Sequence, residues 1–283
     1  MKSPARAALV CAALCAAAAS NAFAQGLSLD ERMQGHPIVA HRGGYPYQDS
    51  NTIVRFDKAM RAGADVMEMD LRLSRDGTVF VFHDKDLRYA TNCTGSFETF
   101  TAAEIDRCHL NGLETGPDRF ERVLEWSQGR AVLDAELKTN EVVRPAIDLI
   151  RRYDAYEWVY FQVRNGLDLY RAVRAYDTRV ALEAAPVGIH AELYLDQLLA
   201  QNDPRLMIIQ LHADTLNPLN LDMLRGLGKL TSMDAWRAGS ERGWSFSSMF
   251  RSAACEDVWS HGVDIAITND PGDCRKQRDQ LGP

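Results

Sequence analysis

Short apolar runs rich in β-branched residues recur along the chain and alternate with stretches of helical periodicity. The eight runs lie at residues 37–41, 66–73, 131–137, 158–163, 179–184, 206–211, 229–233 and 263–268. The stretches between them contain residues that typically begin a helix. Examples are the capping box from Thr101 to Glu104 and the Asn51-Thr52 pair ahead of Ile53. Eight strands alternating with helices over roughly 250 residues indicate a (β/α)8 TIM barrel in a single domain, residues 25–283. A doubly wound open sheet is the alternative.

The segment 75-RDGTVFVFHD-84 predicts a β-hairpin extension directly after the second strand. Asp76-Gly77 lies between two extended runs, as expected of a two-residue turn. With those residues at the turn, the pairing sets Asp70 opposite His83. Directly opposed residues share a face of the strand pair, with Cβ atoms about 5 Å apart, so this register predicts that the two side chains lie together.

Charged side chains lie toward the predicted carboxyl ends of three strands. His41 and Arg42 end the first run, and Glu68 and Asp70 lie two apart in the second, so they share a face. In the third run, one face of the strand carries Asp134, Glu136 and Lys138. Neither face of a barrel strand meets bulk water, so inward carboxylates must be paired, bind a metal or lie at the open rim. Any one such residue is more often structural, but three segments together predict an active site on the face formed by the βα loops.

The carboxylates predict a metal site. Glu68, Asp70 and Glu136 form an oxygen-rich set, which suits a hard divalent cation such as Ca²⁺ or Mg²⁺.

The remaining residues predict cleavage of a phosphoester. His41 and His83 can divide general acid and general base roles, because imidazole titrates near neutral pH. Arg42 and Lys138 supply positive charge for an anionic group, most simply a phosphate. The sequence has neither a Gly-x-Ser-x-Gly elbow nor a P-loop, so it gives no sign of serine-hydrolase or nucleotide-binding chemistry.

The amino terminus predicts export. Lys2 and Arg6 precede an apolar run at residues 7–19, and a small-residue cleavage site ends at Ala24. This pattern is typical of a secretory signal peptide, here residues 1–24. The apolar run is too short to span a bilayer. We therefore expect a periplasmic or secreted protein with no stable membrane insertion.

The charge balance argues against a nucleic-acid partner. The chain has 32 basic and 39 acidic residues, a formal net charge of −7. Two basic residues and no acidic ones leave with the predicted signal peptide, so the net charge becomes −9. Nucleic-acid binding needs a basic surface, which this balance does not favour.

The cysteines predict two disulfides. Two of the six cysteines lie in the predicted signal peptide. The other four are Cys93, Cys108, Cys255 and Cys274. An even number in an exported chain favours disulfides, and three pairings are possible. We predict the two local pairs, Cys93–Cys108 and Cys255–Cys274. A metal site is the alternative, but the CxxC spacing typical of such sites is missing.

Several motifs together resemble those of the glycerophosphodiester phosphodiesterase family. They are His41-Arg42-Gly43, Asn51-Thr52, 63-GADVMEMDLRLSRDGTVFVFHD-84, Thr91, 101-TAAEI-105, Glu136-Leu137-Lys138 and 262-GVDIAITNDP-271. The resemblance is dense over residues 37–138 and thins afterwards. It implies a metal-dependent barrel enzyme whose substrate is a small-molecule phosphodiester. Such an enzyme hydrolyses glycerophosphodiesters, such as glycerophosphocholine or glycerophosphoethanolamine, to glycerol 3-phosphate and an alcohol.

The resemblance also implies residue roles, and the chain departs from the family pattern at residue 50. The roles are metal binding by Glu68, Asp70 and Glu136, acid/base catalysis by His41 and His83, and phosphate binding by Arg42 and Lys138. One divalent cation is implied, Ca²⁺ in preference to Mg²⁺. The chain reads 49-DSNT-52, so Ser50 stands where the family usually has Glu. Asp49 or Glu141 could replace that acid.

Two other functions stay open at the level of sequence. One is a phospholipase D-like lyase of the spider-venom sphingomyelinase D kind, which acts on lysophospholipids and shares the barrel and the acidic metal site. The other is a catalytically impaired barrel that only binds phosphodiesters, which Ser50 would support.

Overall fold

Eight parallel strands form a closed barrel in the computed structural model, which describes residues 27–45, 49–164, 167–187, 190–212, 216–235 and 255–281. The strands are β1 (Ile38–Ala40), β2 (Val66–Leu73), the antiparallel β3 (Val79–Val81), β4 (Val132–Leu137), β5 (Val159–Arg164), β6 (Ala181–Ala185), β7 (Leu206–Leu211), β8 (Leu230–Asp234) and β9 (Ile265–Thr268). Strand β1 pairs in parallel with both β2 and β9, which closes the sheet. The predicted TIM barrel is therefore confirmed and the open sheet is excluded. The predicted signal peptide lies outside the described residues.

Helices surround the barrel. They are α1 (Leu29–Arg32), α2 (Ile53–Ala62), α3 (Ala102–Ile105), α4 (Phe120–Ser127), α5 (Val143–Tyr153), α6 (Leu167–Tyr176), α7 (Ala191–Leu199), α8 (Pro218–Gly226), α9 (Cys255–Ser260) and α10 (Pro271–Leu281). The predicted start of α2 is confirmed, because the Thr52 hydroxyl accepts a hydrogen bond from the Arg55 N–H. The capping box of Thr101 and Glu104 also forms. Among the described residues, no helix has the length and apolar character needed to cross a membrane.

Alternation along β2 separates an apolar outer face from a polar lumen. Met67, Met69 and Leu71 are buried in the core between the strands and the helices. Glu68 and Asp70 therefore point into the barrel, because successive strand residues face opposite sides.

The lumen is apolar at its amino-terminal end. Val39, Val66 and Val132, each near the start of its strand, pack together with Leu29 of α1 and Met33 just after it. This apolar floor excludes water from one end of the barrel. The polar groups of the lumen therefore concentrate toward its carboxyl-terminal end.

The predicted hairpin after β2 is present, but its predicted register is wrong by one residue. Leu71 pairs with Val81, and the Ser74 N–H donates to the Thr78 carbonyl at 2.9 Å. The loop therefore has three residues instead of two. Its third residue, Gly77, has φ 87°, the left-handed conformation that a three-residue hairpin loop requires at this position.

The shifted register sets Phe82 opposite Asp70, where His83 was expected. The Phe82 N–H donates to the Asp70 carbonyl at 2.8 Å. Beyond β3 the chain bends, and the Arg72 guanidinium donates to the His83 carbonyl from Nε at 3.0 Å and from Nη2 at 2.9 Å. His83 still approaches Asp70, close enough for its charge to lower the pKa of that carboxyl. The bend after the strand, and not direct pairing, brings them together.

Residues 82–119 form an insertion between β3 and α4, with a small core of its own. Its buried apolar side chains include Phe82, Leu87, Phe97, Ile105 and Leu110. The Cys93–Cys108 disulfide lies within this insertion, and a second disulfide, Cys255–Cys274, joins α9 to α10. Both predicted pairings are confirmed.

Candidate active site

The turn after β1 holds His41 and Arg42 against the barrel mouth. Arg42 has φ 51°, and this left-handed conformation lets its backbone N–H donate to Glu68 Oε2 at 2.7 Å. Gly43 follows with φ 80°, and a Cβ atom there would lie 2.4 Å from Arg55 Cγ. The glycine of the His-Arg-Gly motif is therefore required by packing against α2.

The three predicted metal ligands lie together. Oxygen atoms of Glu68, Asp70 and Glu136 all fall within 4.8 Å of one another, and all three residues are buried. In-register pairing of β2 with β4 places Asp70 beside Glu136. Three converging carboxylates are a donor set that fits a hard divalent cation.

Electrostatics within this acidic triad also favour a cation. Burial, followed by the charge of Asp70, raises the pKa of Glu68 to about 8. Without a cation, Glu68 is thus mostly protonated at neutral pH. The triad therefore carries more carboxyl groups than the surrounding positive charge can keep ionised, and a divalent cation would supply the missing charge.

Two cations flank Asp70. Lys138 Nζ lies 2.6 Å from Asp70 Oδ1 and 2.7 Å from Glu136 Oε1. Arg42 Nε lies 3.3 Å from Asp70 Oδ2. Burial alone would raise the pKa of Asp70, but the charges of Lys138 and Arg42 lower it below its ordinary value. Both predicted phosphate-binding residues therefore lie beside the acidic triad, one on each side of Asp70.

His41 is half-buried and neutral. Burial, followed by the charge of Arg42, lowers its pKa to about 3. Its Nδ1 lies 2.9 Å from Asn269 Oδ1. Since an amide oxygen can only accept, Nδ1 carries the proton, and Nε2 is then the nitrogen able to take up a proton.

His83 is oriented by an acid. Its Nδ1 lies 3.0 Å from Asp84 Oδ1, and this hydrogen bond lowers the pKa of Asp84. Asp84 therefore holds Nδ1 of His83, and the ring can meet a substrate through Nε2. The two histidines therefore have contrasting environments, one next to an amide and the other next to a carboxylate.

A second buried carboxyl pair lies deeper in the lumen. Asp134 is level with Glu68 on the neighbouring strand. Burial, followed by the charge of Glu183, raises the pKa of Asp134 well above its ordinary value. The Ser232 hydroxyl donates to Glu183. Burial therefore favours the neutral form of Asp134, and this residue shares the lumen face predicted from the strand pattern.

Four further polar residues contact the site without a role predicted from sequence: Asn51, Asp84, Arg164 and Asn269. Asn51 Nδ2 donates to Asp70 Oδ2 at 2.7 Å, although the sequence pattern identified Asn51 only as a helix boundary. Arg164 is the last residue of β5, and Asn269 directly follows β9. Their positions at strand ends were the available signal, since every strand of a parallel barrel ends at the same face.

Neither of the two candidate acids, Asp49 and Glu141, takes the place of the Glu that the resemblance implies at position 50. Asp49 instead pairs with Arg55 and with Lys58, the latter at 2.9 Å. Glu141 is exposed. Within the part of the chain that the structure describes, neither carboxylate pairs with Arg42 or the acidic triad.

Comparison with known proteins identifies similar sequences over most of the chain. The sequence model of the glycerophosphoryl diester phosphodiesterase family matches residues 41–240. A glycerophosphodiester phosphodiesterase from Caldanaerobacter subterraneus subsp. tengcongensis is 26% identical over 247 residues, which cover 83% of this chain and 94% of that protein.

Solved structures share the architecture. A glycerophosphoryl diester phosphodiesterase from Parabacteroides distasonis superposes with a TM-score of 0.70 at 20% identity, covering 91% of this chain and 93% of its own. An Oleispira antarctica phosphodiesterase, solved in complex with the product sn-glycerol-3-phosphate, superposes with a TM-score of 0.68 at 16% identity, covering 86% and 96%. At these identities the structural matches establish the fold.

Proposed function

Because the chain belongs to the glycerophosphoryl diester phosphodiesterase family, we propose that it hydrolyses glycerophosphodiesters to glycerol 3-phosphate and an alcohol. Glycerophosphocholine and glycerophosphoethanolamine are the simplest candidate substrates. The observation that carries the proposal is the convergence of three buried carboxylates within 4.8 Å, with Lys138 and Arg42 beside them.

Glu68, Asp70 and Glu136 would hold one divalent cation. Ca²⁺ fits better than Mg²⁺, because Ca²⁺ accepts several protein carboxylates in irregular geometry, whereas Mg²⁺ usually keeps most of its waters. When bound, the cation would stabilise negative charge that develops on a phosphoryl oxygen.

Arg42 and Lys138 would bind the phosphate. Both already approach Asp70, so an anion seated over that carboxylate and its cation would meet one positive side chain on each side. Arg42 offers a planar fork of donors that matches two phosphate oxygens, and Lys138 offers a point charge.

The two histidines would divide the proton transfers. Hydrolysis forms a bond between phosphorus and the attacking oxygen and breaks the bond to the leaving alcohol. Neutral His41 would take a proton at Nε2 from the attacking water molecule. His83, which Asp84 orients through Nδ1, would give a proton to the leaving alcohol.

The same proposal includes export. A signal peptide at residues 1–24 would direct the domain at residues 25–283 to the periplasm or the medium. The two disulfides support this location, because disulfides persist mainly in oxidising compartments.

Release of glycerol 3-phosphate from glycerophosphocholine tests the reaction. The mature protein is assayed with Ca²⁺, Mg²⁺ or a chelator, beside a His41→Ala variant. We expect turnover that requires the metal and that falls at least about a hundredfold in the variant, which is the usual contribution of a general base.

The identity of the phosphorus-containing product distinguishes hydrolysis from the two alternative functions. A cyclic phosphate seen by ³¹P NMR as the end product would identify a lyase instead of a hydrolase. Substrate binding without turnover, in folded protein, would indicate the binding-only barrel, and Ser50→Glu would then be the first change to test.

A further inference from the structure

Arg164 presents an unused pair of donors at the mouth of the barrel. Its Nε donates to Gln162 Oε1 at 3.0 Å and lies 3.2 Å from Glu136 Oε2. About a third of its side chain, 35%, is exposed. Its two terminal nitrogens, Nη1 and Nη2, have no hydrogen-bond partner among the described residues. The guanidinium is thus anchored at one edge and open at the other.

Arg164 lies outside the group that would hold the phosphate. Arg42 and Lys138 both contact Asp70, and Lys138 contacts Glu136 through Oε1. Arg164 contacts the other oxygen, Oε2, from one strand further round the barrel. It therefore faces the region beside the phosphate, where one of the two ester groups of the substrate would extend.

The residue beside Arg164 on the adjacent strand is small. Arg164 pairs with Ala185 of β6, whose side chain is a single methyl group. The pairing position on this strand is thus not acidic, and the other carboxyl groups that act on the charge of Arg164 lie on other residues of the lumen, among them Asp234 and Glu183. An arginine with two parallel N–H donors is suited to bidentate binding of a carboxylate and repels an ammonium group.

We propose that Arg164 selects phosphodiesters whose alcohol carries a carboxylate, with glycerophosphoserine as the simplest member of the class. This inference rests on the proposed phosphodiesterase function and narrows its substrate class. Arg164 is a specificity-determining residue that contacts the alcohol, whereas the acidic triad, Arg42 and Lys138 contact the cation and the phosphate.

The test compares two substrates that differ only by the carboxylate, glycerophosphoserine and glycerophosphoethanolamine. We expect wild-type kcat/KM to favour the serine ester by about tenfold to a hundredfold, as a charge-assisted bidentate contact predicts. Arg164→Gln should remove this preference. Arg164→Lys, which keeps the charge but not the fork, should retain part of it.

The ratio of the two substrates isolates the specificity role. Since Arg164 also contacts Glu136, its replacement could slow both reactions, and such a common loss cancels in the ratio. Equal kcat/KM for the two esters in the wild type, or an unchanged ratio in Arg164→Gln, would overturn the inference.

Binding without turnover separates this inference from the reaction itself. Dissociation constants for both esters are measured by calorimetry on Ca²⁺-loaded His41→Ala and on the His41→Ala, Arg164→Gln double variant. Tighter binding of the serine ester that disappears in the double variant supports Arg164 selectivity, even if the wild type releases no glycerol 3-phosphate. Equal dissociation constants in both proteins overturn it, even if the wild type hydrolyses both esters.

Discussion

Single side chains of the site are tuned by their nearest partners. His41 and His83 are the same residue type, yet one is buried against Arg42 and an amide, while the other is paired with Asp84. Burial and like charge keep Glu68 protonated beside an ionised Asp70. Residues of the same chemical type therefore acquire different properties within one site, because burial and neighbouring charge differ between them.

Asn269→Ala should lower kcat with little change in KM. The substitution removes the 2.9 Å contact between the Asn269 side chain and Nδ1 of His41, so the imidazole loses a group that orients it. We expect kcat to fall about tenfold to a hundredfold, because a misplaced base loses much of its contribution. Arg42 and Lys138 keep their contacts with Asp70, so KM should stay within about twofold.

Asn269→Asp is the matched control. It keeps an acceptor at the same atom and adds a negative charge, which should raise the pKa of His41 and move the acidic limb of the pH–rate profile upward. A change in KM alone, or an unshifted profile in the aspartate variant, would show that Asn269 does not position His41.

The barrel strands and the insertion carry separate parts of the site. Metal ligands and phosphate-binding residues come from β2, from β4 and from the turn after β1, in the closed sheet. His83 instead follows β3 and is held by Arg72 at the start of the insertion. The barrel strands therefore form the cation site, and the insertion supplies His83, one of the two histidines assigned to proton transfer.

Removing the Cys93–Cys108 disulfide should destabilise the protein without weakening the cation site. The loop it closes has a sequence separation of 15, for which chain entropy predicts a loss of about 3 kcal/mol. We expect a Cys93→Ser, Cys108→Ser double variant to unfold at lower urea concentration. Its Ca²⁺ affinity, measured by calorimetry, should match the wild type, because the acidic triad lies on β2 and β4.

The disulfide between α9 and α10 provides the comparison. Its sequence separation is 19, so its loss should cost a similar free energy of unfolding at a different place. A fall in Ca²⁺ affinity specific to the Cys93–Cys108 variant would contradict the division of the site between barrel and insertion.

At the scale of the whole molecule, buried carboxyl groups link stability to pH. Glu68 holds its proton in the folded protein up to about pH 8, whereas the ordinary value is 4.5. The pKa of Asp134 is raised in the same direction. The folded state then binds more protons than the unfolded chain, so stability falls as pH rises. His41 acts in the opposite sense below its ordinary pKa of 6.5, because only the unfolded chain binds its proton there.

Thermal unfolding in chelator should therefore show a falling Tm between about pH 7 and 8. Above about pH 7, His41 no longer changes the free energy of unfolding with pH, because it is neutral in both the folded and the unfolded chain. Each carboxyl group that keeps its proton only in the folded state lowers the free energy of unfolding by up to about 1.4 kcal/mol per pH unit. Ca²⁺ should raise Tm more at the higher pH, because it binds the ionised triad. Glu68→Gln should flatten the profile in chelator. The same fall in that variant would assign the pH dependence to other groups.

Much of the site could be predicted from the sequence because the carboxyl ends of all parallel strands lie at the same face of a barrel. Eight apolar runs were enough to predict the fold, and their ends included His41, Glu68, Asp70 and Glu136. The hairpin register was wrong, since Asp76-Gly77 is compatible with both a two-residue and a three-residue loop. Only the hydrogen bond between Ser74 and Thr78 decides between them.

The sequence by itself determined which side chains face the lumen, because alternation along a strand is a local property. It also determined the local disulfide pairs, which join residues close in the chain. Only the tertiary structure decided the partners: Asn269 meets His41 across 228 residues, and Arg164 meets Glu136 through the pairing of β4 with β5. Burial and neighbouring charge set the pKa values of Glu68 and His41, and both depend on barrel closure, which no local pattern encodes.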